Sequence, residues 1–256
     1  MEKKMKTQKT ERKRYEYLDV LRGITLISMM GYHAMWDLVY IVGLEIDWYR
    51  SAGAYLWQQS ICWTFILLSG FCWSFGRQKW KRGGIVFAAG LVITGVTCLV
   101  MPQQRVVFGV LTLLGSCMLL MIPLEKILRG GHSVAGLIVS FCAFLLTKNL
   151  NQGALGIGNW RLLELPDSWY DSGYLMTYLG FTDRHFYSTD YFSLFPWMFL
   201  FMTGYFLYRL ASENRWLEWP TLNGIKSRPL AFIGRHSLLL YMLHQPVIYL
   251  VILCCF

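Results

Sequence analysis

Charge is scarce in this chain. Of its 256 residues, 15% are Asp, Glu, Lys or Arg, while 55% are hydrophobic. A soluble domain of this length needs more charge to cover its surface, so a water-solvated globule is excluded. Acidic charge is the scarcer sign: 15 Asp and Glu face 24 Lys and Arg. The seven cysteines form no CxxC pair and are odd in number, which argues against a zinc site or a disulfide framework. No metal-ligand spacing stands out, and none is expected. A P-loop, a GxSxG elbow and an HExxH helix are all missing, which removes the common nucleotide, serine-hydrolase and zincin chemistries. There is no internal repeat of the kind that marks inverted-repeat transporters.

What the chain has instead is long apolar runs. A membrane span takes roughly 20 mostly apolar residues, and seven segments qualify: residues 18–42, 55–75, 84–101, 106–122, 134–146, 191–210 and 230–253. The fifth is short, with ends that extend to 133 and 150. The fold class expected is an all-α polytopic membrane protein, a bundle of about seven transmembrane helices. Residues 1–17 form a basic tail, read as leading into an uncleaved first helix, and residues 18–256 form one transmembrane domain.

The loop charges orient the bundle. With the N-terminus cytoplasmic, 18 Lys and Arg fall inside and only Arg50, Arg105, Lys148, Arg161 and Arg184 fall outside. That is the bias the positive-inside rule requires. The net charge of +9 is therefore a topology signal, and no nucleic-acid partner is expected. Trp48, Trp57, Trp80, Trp160, Trp197 and Trp216 lie near span ends, as an aromatic belt does. The longest stretch outside the spans, residues 149–190, is too short for a separate domain and is expected as a lid or re-entrant piece over a site. Multi-pass insertion, the bacterial cytoplasmic (inner) membrane and the bilayer as partner follow from this layout; a homodimer is a possible assembly.

Ionisable residues inside spans are costly and are site candidates by default. The first span is richest in them. At about 100° per residue, with His33 at 0°, Arg22 and Tyr40 fall near −20° and Asp19 and Asp37 near +40°. The five form one stripe, with Met29 within it, Thr25 at its edge and Ser28 well off it. Ile24, Ile27 and Leu38 should turn to lipid or packing. Asp37 lies one turn beyond His33 and is expected to hold its imidazole, and a carboxylate-oriented His is a competent general base. The same groups in a structural role would only lock helix packing.

The last span is the second concentration. Arg235 and His236 sit near the cytoplasmic face, with Tyr241, His244 and Gln245 deeper, and Pro246 should kink the helix near residues 242–244. Gly70, Gly90, Gly95, Gly109 and Gly115 read as sites of close helix approach. Asp183, Arg184, His185 and Asp190 are expected at the outer mouth, either as a solvated loop or as a substrate-binding rim.

These residues resemble a known family. Arg22, ten residues and then His33 inside the first helix is similar to the signature of the transmembrane acyltransferase superfamily, which includes the acyltransferase family 3 O-acyltransferases. The opening YEYLDVLRGITLISMMGYHAMWDL resembles bacterial relatives of heparan-alpha-glucosaminide N-acetyltransferase. WTFILLSGF, FGVLTLLG, STDYFSLFPW and IGRHSLLLYMLHQP follow in the same order. The resemblance implies acyl transfer, typically acetyl from acetyl-CoA, with no permanently bound cofactor. The acceptor would be a sugar hydroxyl or amine, a carbohydrate or glycolipid, on the outer side.

On this reading His33 and Asp37 are catalytic. Arg22, Arg235 and His236, with Arg77 as a further candidate, hold the acyl-CoA. Asp19, Tyr241, His244, Gln245 and Asp190 hold substrate. The chain departs from the branch at Thr112, where the branch often has His or Gln. It also has His33 where the heparan enzymes have Asn, lacks a His in residues 43–53 and lacks their long luminal domain, so the heparan substrate is not carried over. The alternatives are a transporter or flippase using the polar stripe as a proton or solute path, and a non-catalytic membrane scaffold.

Overall fold

The computed structural model describes residues 15–255; most of the basic tail expected over residues 1–17 lies outside them. Ten α-helices are present among the described residues. They are α1 (Glu16–Tyr40), α2 (Ala52–Trp73), α3 (Lys79–Val100), α4 (Val110–Leu128), α5 (Ser133–Thr147), α6 (Gly173–Leu179), α7 (Leu194–Glu213), α8 (Pro220–Asn223), α9 (Arg228–Arg235) and α10 (Ser237–Cys255). The seven that reach 15 residues coincide with the seven apolar segments. Four of them are long and apolar enough to cross a membrane by length and composition: α3, α4, α5 with the turn that follows it, and α10. The other three long helices carry more polar residues, α1 most of all.

The last segment is not one helix. It breaks at His236, whose backbone leaves the helical region (φ −100°, ψ 20°) and whose N–H bonds back to Phe232 and Ile233. The result is a short amphipathic α9 followed by α10, which runs on through Pro246. The discontinuity expected at residues 242–244 thus falls a full two turns earlier.

α4 is the centre of the bundle. Every residue from Val110 to Met118 on it is buried. Around it Ile66, Trp73, Phe144, Leu200 and Phe201 close the largest core cluster, and the Trp73 indole N–H donates to the Met118 carbonyl at 3.0 Å. α3 pairs with α4 on one side and leaves Leu91, Val92, Val96, Leu99 and Val100 exposed, as a lipid-facing helix does.

In lipid, helices gain little from hiding apolar surface; they associate through close packing of small residues. Two reciprocal glycine contacts serve this end. A Cβ on Gly70 would run into the Phe201 carbonyl, and one on Gly204 into the Leu67 carbonyl, so α2 and α7 touch backbone to backbone. The same holds for Gly23 against Leu230 and Gly234 against the Asp19 carbonyl, which clamps α9 onto the start of α1. Gly70, Gly90 and Gly115 are close-approach sites as their sequence positions suggest, whereas Gly95 has nothing within 4 Å.

The stretch between α5 and α7 is folded. It contains an antiparallel hairpin, β1 (Ala154–Ile157) and β2 (Trp160–Glu164), the only departure from helix and turn among the described residues. β1 packs on α5, and the Tyr170 hydroxyl donates to the Leu150 carbonyl at 2.6 Å. The final part of the stretch is tied to the segment before α4: Val107 N–H donates to Ser188 Oγ at 2.9 Å and Phe192 N–H to the Phe108 carbonyl at 2.8 Å. Trp48, Trp80 and Trp160 are exposed as a belt requires, but Trp57 donates to Ser28 Oγ at 2.8 Å and Trp197 packs against Phe144 in the core. Ser28, well off the polar stripe, is thus an interhelical acceptor.

Candidate active site

α1 places its polar residues by simple periodicity. Asp19, Thr25, Met29 and Asp37 are buried on the inner face, while Ile24 and Ile27 are 49% and 46% exposed on the opposite one. Tyr40 leaves the stripe. It is 55% exposed at the helix end and packs on Trp36 and Tyr49.

At the N-terminal end of the stripe, Asp19 lies beside the guanidinium groups of Arg22 and Arg235. Arg22 Nη1 lies 3.3 Å from its Oδ1 and Arg235 Nε 3.4 Å from its Oδ2. The α1–α9 glycine clamp is what brings α9, and so Arg235, to this point. Arg22 also meets the Cys72 thiol from α2, and Arg82, missed by the sequence reasoning, acts on Cys72 electrostatically. Asp19 therefore stands with the arginines expected at the donor mouth, apart from the residues expected to hold the acceptor. His236 follows Arg235 and is exposed like it; its Nδ1 lies 2.9 Å from the Phe232 carbonyl and its ring lies against Phe232, centroids 4.3 Å apart.

About 16 Å further along α1, at ~1.5 Å per residue from Arg22, comes His33. Its ring meets that of His244 on α10, centroids 4.9 Å apart and planes at 62°. His244 Nδ1 lies 2.5 Å from the Tyr241 carbonyl. A carbonyl only accepts, so Nδ1 carries the proton and, in the neutral ring, Nε2 holds a lone pair. That Nε2 is buried with no hydrogen-bond partner.

Asp37 does not orient His33, as the spacing had suggested. It is 0% exposed, and its two carboxylate oxygens take Gln245 Nε2 at 2.8 and 3.0 Å. The correction has a geometric cause: α10 crosses α1 with consecutive residues, so His244 meets His33 and Gln245 meets Asp37 one turn on. Gln245 presents its NH2 to the acid, and its Oε1 is left buried without a partner.

The third arm reaches in from the segment before α7. Asp190 Oδ2 accepts from Val110 N–H, the first amide of α4, at 3.4 Å, and its carboxyl also meets the Tyr241 hydroxyl. Burial pushes the Asp190 carboxyl up to about 6, with those two hydrogen bonds pulling against it. Asp190 is thus drawn into the bundle, whereas Arg184 and His185 stay exposed, and Arg184 pairs with Asp167 at 3.2 Å and Asp171 at 3.7 Å. Thr112, on the turn after Val110, has a buried hydroxyl without a hydrogen-bond partner.

The arrangement is a column. Cations stand at one end, and a pair of imidazoles with an available ring nitrogen stands in the interior. An acid–amide pair and a tyrosine–aspartate pair brace the imidazoles. Ionisable groups on apolar helices long enough to span a bilayer mark substrate, ion or proton paths, which makes this column the functional-site candidate. The particular family follows from comparison with known proteins: the model described as "Heparan-alpha-glucosaminide N-acetyltransferase, catalytic" matches residues 14–246. The chain belongs to that family, and with it to the membrane acetyltransferases. No curated protein and no solved structure matches it.

Proposed function

We propose that this chain transfers an acyl group from a CoA thioester, bound at the cytoplasmic end, to an amine or hydroxyl of a sugar-bearing acceptor on the outer side. The observation that carries the reading is the His33–His244 pair with its buried, unpartnered Nε2, at the far end of a stripe that begins with Arg22, Asp19 and Arg235. A CoA thioester needs a cationic site for its phosphates. Arg22 and Arg235 supply them, held apart and aimed by Asp19, and Arg82 adds a third. The pantetheine arm then follows the inner face of α1 to the imidazoles.

There the acceptor's nitrogen or oxygen attacks the thioester carbonyl. A C–N or C–O bond forms, the C–S bond breaks, the acceptor's proton passes to an imidazole nitrogen, and the sulfur leaves as the thiolate and takes up a proton. His33 and His244 are the catalytic pair. His244 supplies the open lone pair, and Tyr241 fixes its tautomer through its carbonyl. Gln245 Oε1 adds a buried acceptor atom, which suits a donor such as an amine or hydroxyl. Asp37 acts through Gln245 and is a positioning residue.

Incubating purified protein with acetyl-labelled acetyl-CoA tests this. Thioester consumption should fall at least a hundredfold in His33→Ala and His244→Ala, in line with the usual contribution of ~10²–10⁴-fold from acid–base catalysis. Unchanged turnover in both would sink the reading. Solute flux in sealed vesicles without thioester consumption would favour a transporter instead.

A further inference from the structure

Acyl transfer at the imidazole pair leaves one developing charge without a partner. As the acceptor adds to the thioester, the carbonyl oxygen becomes an oxyanion, and a donor aimed at that oxygen is usually the largest single source of rate. Two donors beside the imidazoles are already engaged. The proton on His244 Nδ1 goes to the Tyr241 carbonyl, and the Gln245 NH2 goes to Asp37. The Tyr241 hydroxyl stands differently. Its ring lies against that of His244, centroids 5.2 Å apart, and His244 lies in turn against His33. Its hydroxyl meets the Asp190 carboxyl, a group that accepts a hydrogen bond when ionised and can donate one when neutral.

We propose that the Tyr241 hydroxyl is the donor to the thioester oxyanion, and that Asp190, a positioning residue behind it, decides whether its proton is free; this rests on the transferase reading above. Two states follow from the contacts. With Asp190 ionised, Oδ2 accepts from Val110 N–H and the carboxylate also takes the Tyr241 O–H, so the hydroxyl is spent. With Asp190 neutral, Oδ2 still accepts from Val110, the acid's own O–H donates to the phenol oxygen, and the phenol O–H turns to substrate. A carboxylic acid held neutral by its site can serve as such a donor near neutral pH. Asp190 is built into that site: a Cβ on Gly109 would lie 3.1 Å from its Oδ2, so glycine leaves it room at the start of α4. Burial pushes its carboxyl up to about 6. The groups facing it are the Val110 N–H from α4, the Tyr241 phenol from α10 and the Cys62 thiol from α2. Arg105, whose carbonyl accepts from Thr189 N–H, turns its guanidinium to the Tyr187 carbonyl at 3.2 Å. The step balances. The acceptor's lone pair forms the C–N or C–O bond while the carbonyl π pair moves to oxygen. Tyr241 donates a hydrogen bond there and keeps its proton, and the pair then returns and expels the sulfur.

The test is the pH profile of acetyl-CoA consumption by the full chain in lipid nanodiscs, with water or added glucose as the nucleophile. The parent's kcat should fall as pH rises through about 6, where Asp190 ionises and recaptures the phenol proton. Tyr241→Phe should lower kcat about 10²–10³-fold with little change in KM. Asp190→Asn, whose NH2 donates to the phenol at every pH, should lose the alkaline limb and keep the acid one, which belongs to the imidazoles. The shape of a profile does not depend on how much protein folds, so Asp190→Asn gives an answer even where Tyr241→Phe is unstable. A kcat nearly unchanged in Tyr241→Phe, or the parent's alkaline limb persisting in Asp190→Asn, overturns the inference and leaves the transferase reading standing. No thioester consumed by the parent at any pH overturns both.

Discussion

Removing the Gln245 amide should cost stability in a way that reveals what Asp37 is for. Asp37 is wholly buried, and both hydrogen bonds to its carboxylate come from one side chain. Gln245→Met keeps the volume and deletes the donor. Leaving a buried acid without its partner costs about 3 kcal/mol, and losing the unpartnered Oε1 at the same time returns about 1 kcal/mol, for a net loss of about 2 kcal/mol. For a chain of this length that lowers Tm by about 4–8 °C. Asp37→Leu should cost a similar amount, because the Gln245 NH2 is then stranded. The double variant replaces both partners with apolar groups and should lose only about 1 kcal/mol, a coupling of about 3 kcal/mol. The assay is thermal unfolding of the four proteins in one detergent. Strictly additive losses, or a Gln245→Met within 1 °C of the parent, would refute the view that the pair braces the seam. The same variants should lower thioester turnover with little change in KM, since the pair positions His244 and does not touch the donor's phosphates.

Further predictions follow from other parts of the column. Gly23→Ala drives a Cβ into the Leu230 carbonyl and should destabilise by about 1–3 kcal/mol, while Gly95→Ala, with open space around it, should be neutral or better; the pair is read by the same melts. Arg235→Ala removes a guanidinium group from Asp19, and it should raise KM for the thioester about tenfold while kcat holds, as measured by initial rates. Asp190, raised to about 6 in the fold, binds its proton more tightly folded than unfolded. Its contribution to stability is therefore fully present below pH ~4 and is lost as pH rises through ~6. Asp190→Asn should flatten Tm between pH 4 and 7, and a slope equal to the parent's would show that another group sets it.

The one-dimensional features were the legible ones. Apolar runs long enough to span a bilayer announce themselves, since a lipid-facing helix such as α3 must be apolar nearly all round. The stripe on α1 was equally plain, because periodicity alone puts Asp19, Arg22, His33 and Asp37 on one face. The break at His236 was hidden: apolar composition on both sides looks continuous, and it takes the short amphipathic turn of α9, packed on α1 by Gly23 and Gly234, to show that a separate helix is being clamped. The pairing of Asp37 was hidden for a related reason. Within α1 the nearest polar neighbour is His33, so local spacing favours that partner. The competing one, Gln245, is 208 residues away and becomes available only when α10 crosses at that level.

That misassignment bears on the chemistry. A carboxylate spent on His33 would hold that ring as a conventional acid-braced base. With the acid taken by Gln245, the two imidazoles face each other, and the tautomer of His244 is set by a backbone carbonyl that cannot lose or gain a proton. A neutral brace keeps the lone pair on Nε2 without adding a second negative charge where, in the proposed reaction, the thiolate leaves. The order of residues in IGRHSLLLYMLHQP serves this end. Tyr241 lies three residues before His244, so that one turn of helix delivers the carbonyl to Nδ1, and Gln245 follows at once, so that the acid on α1 is satisfied by the neighbouring residue and kept off the reacting ring.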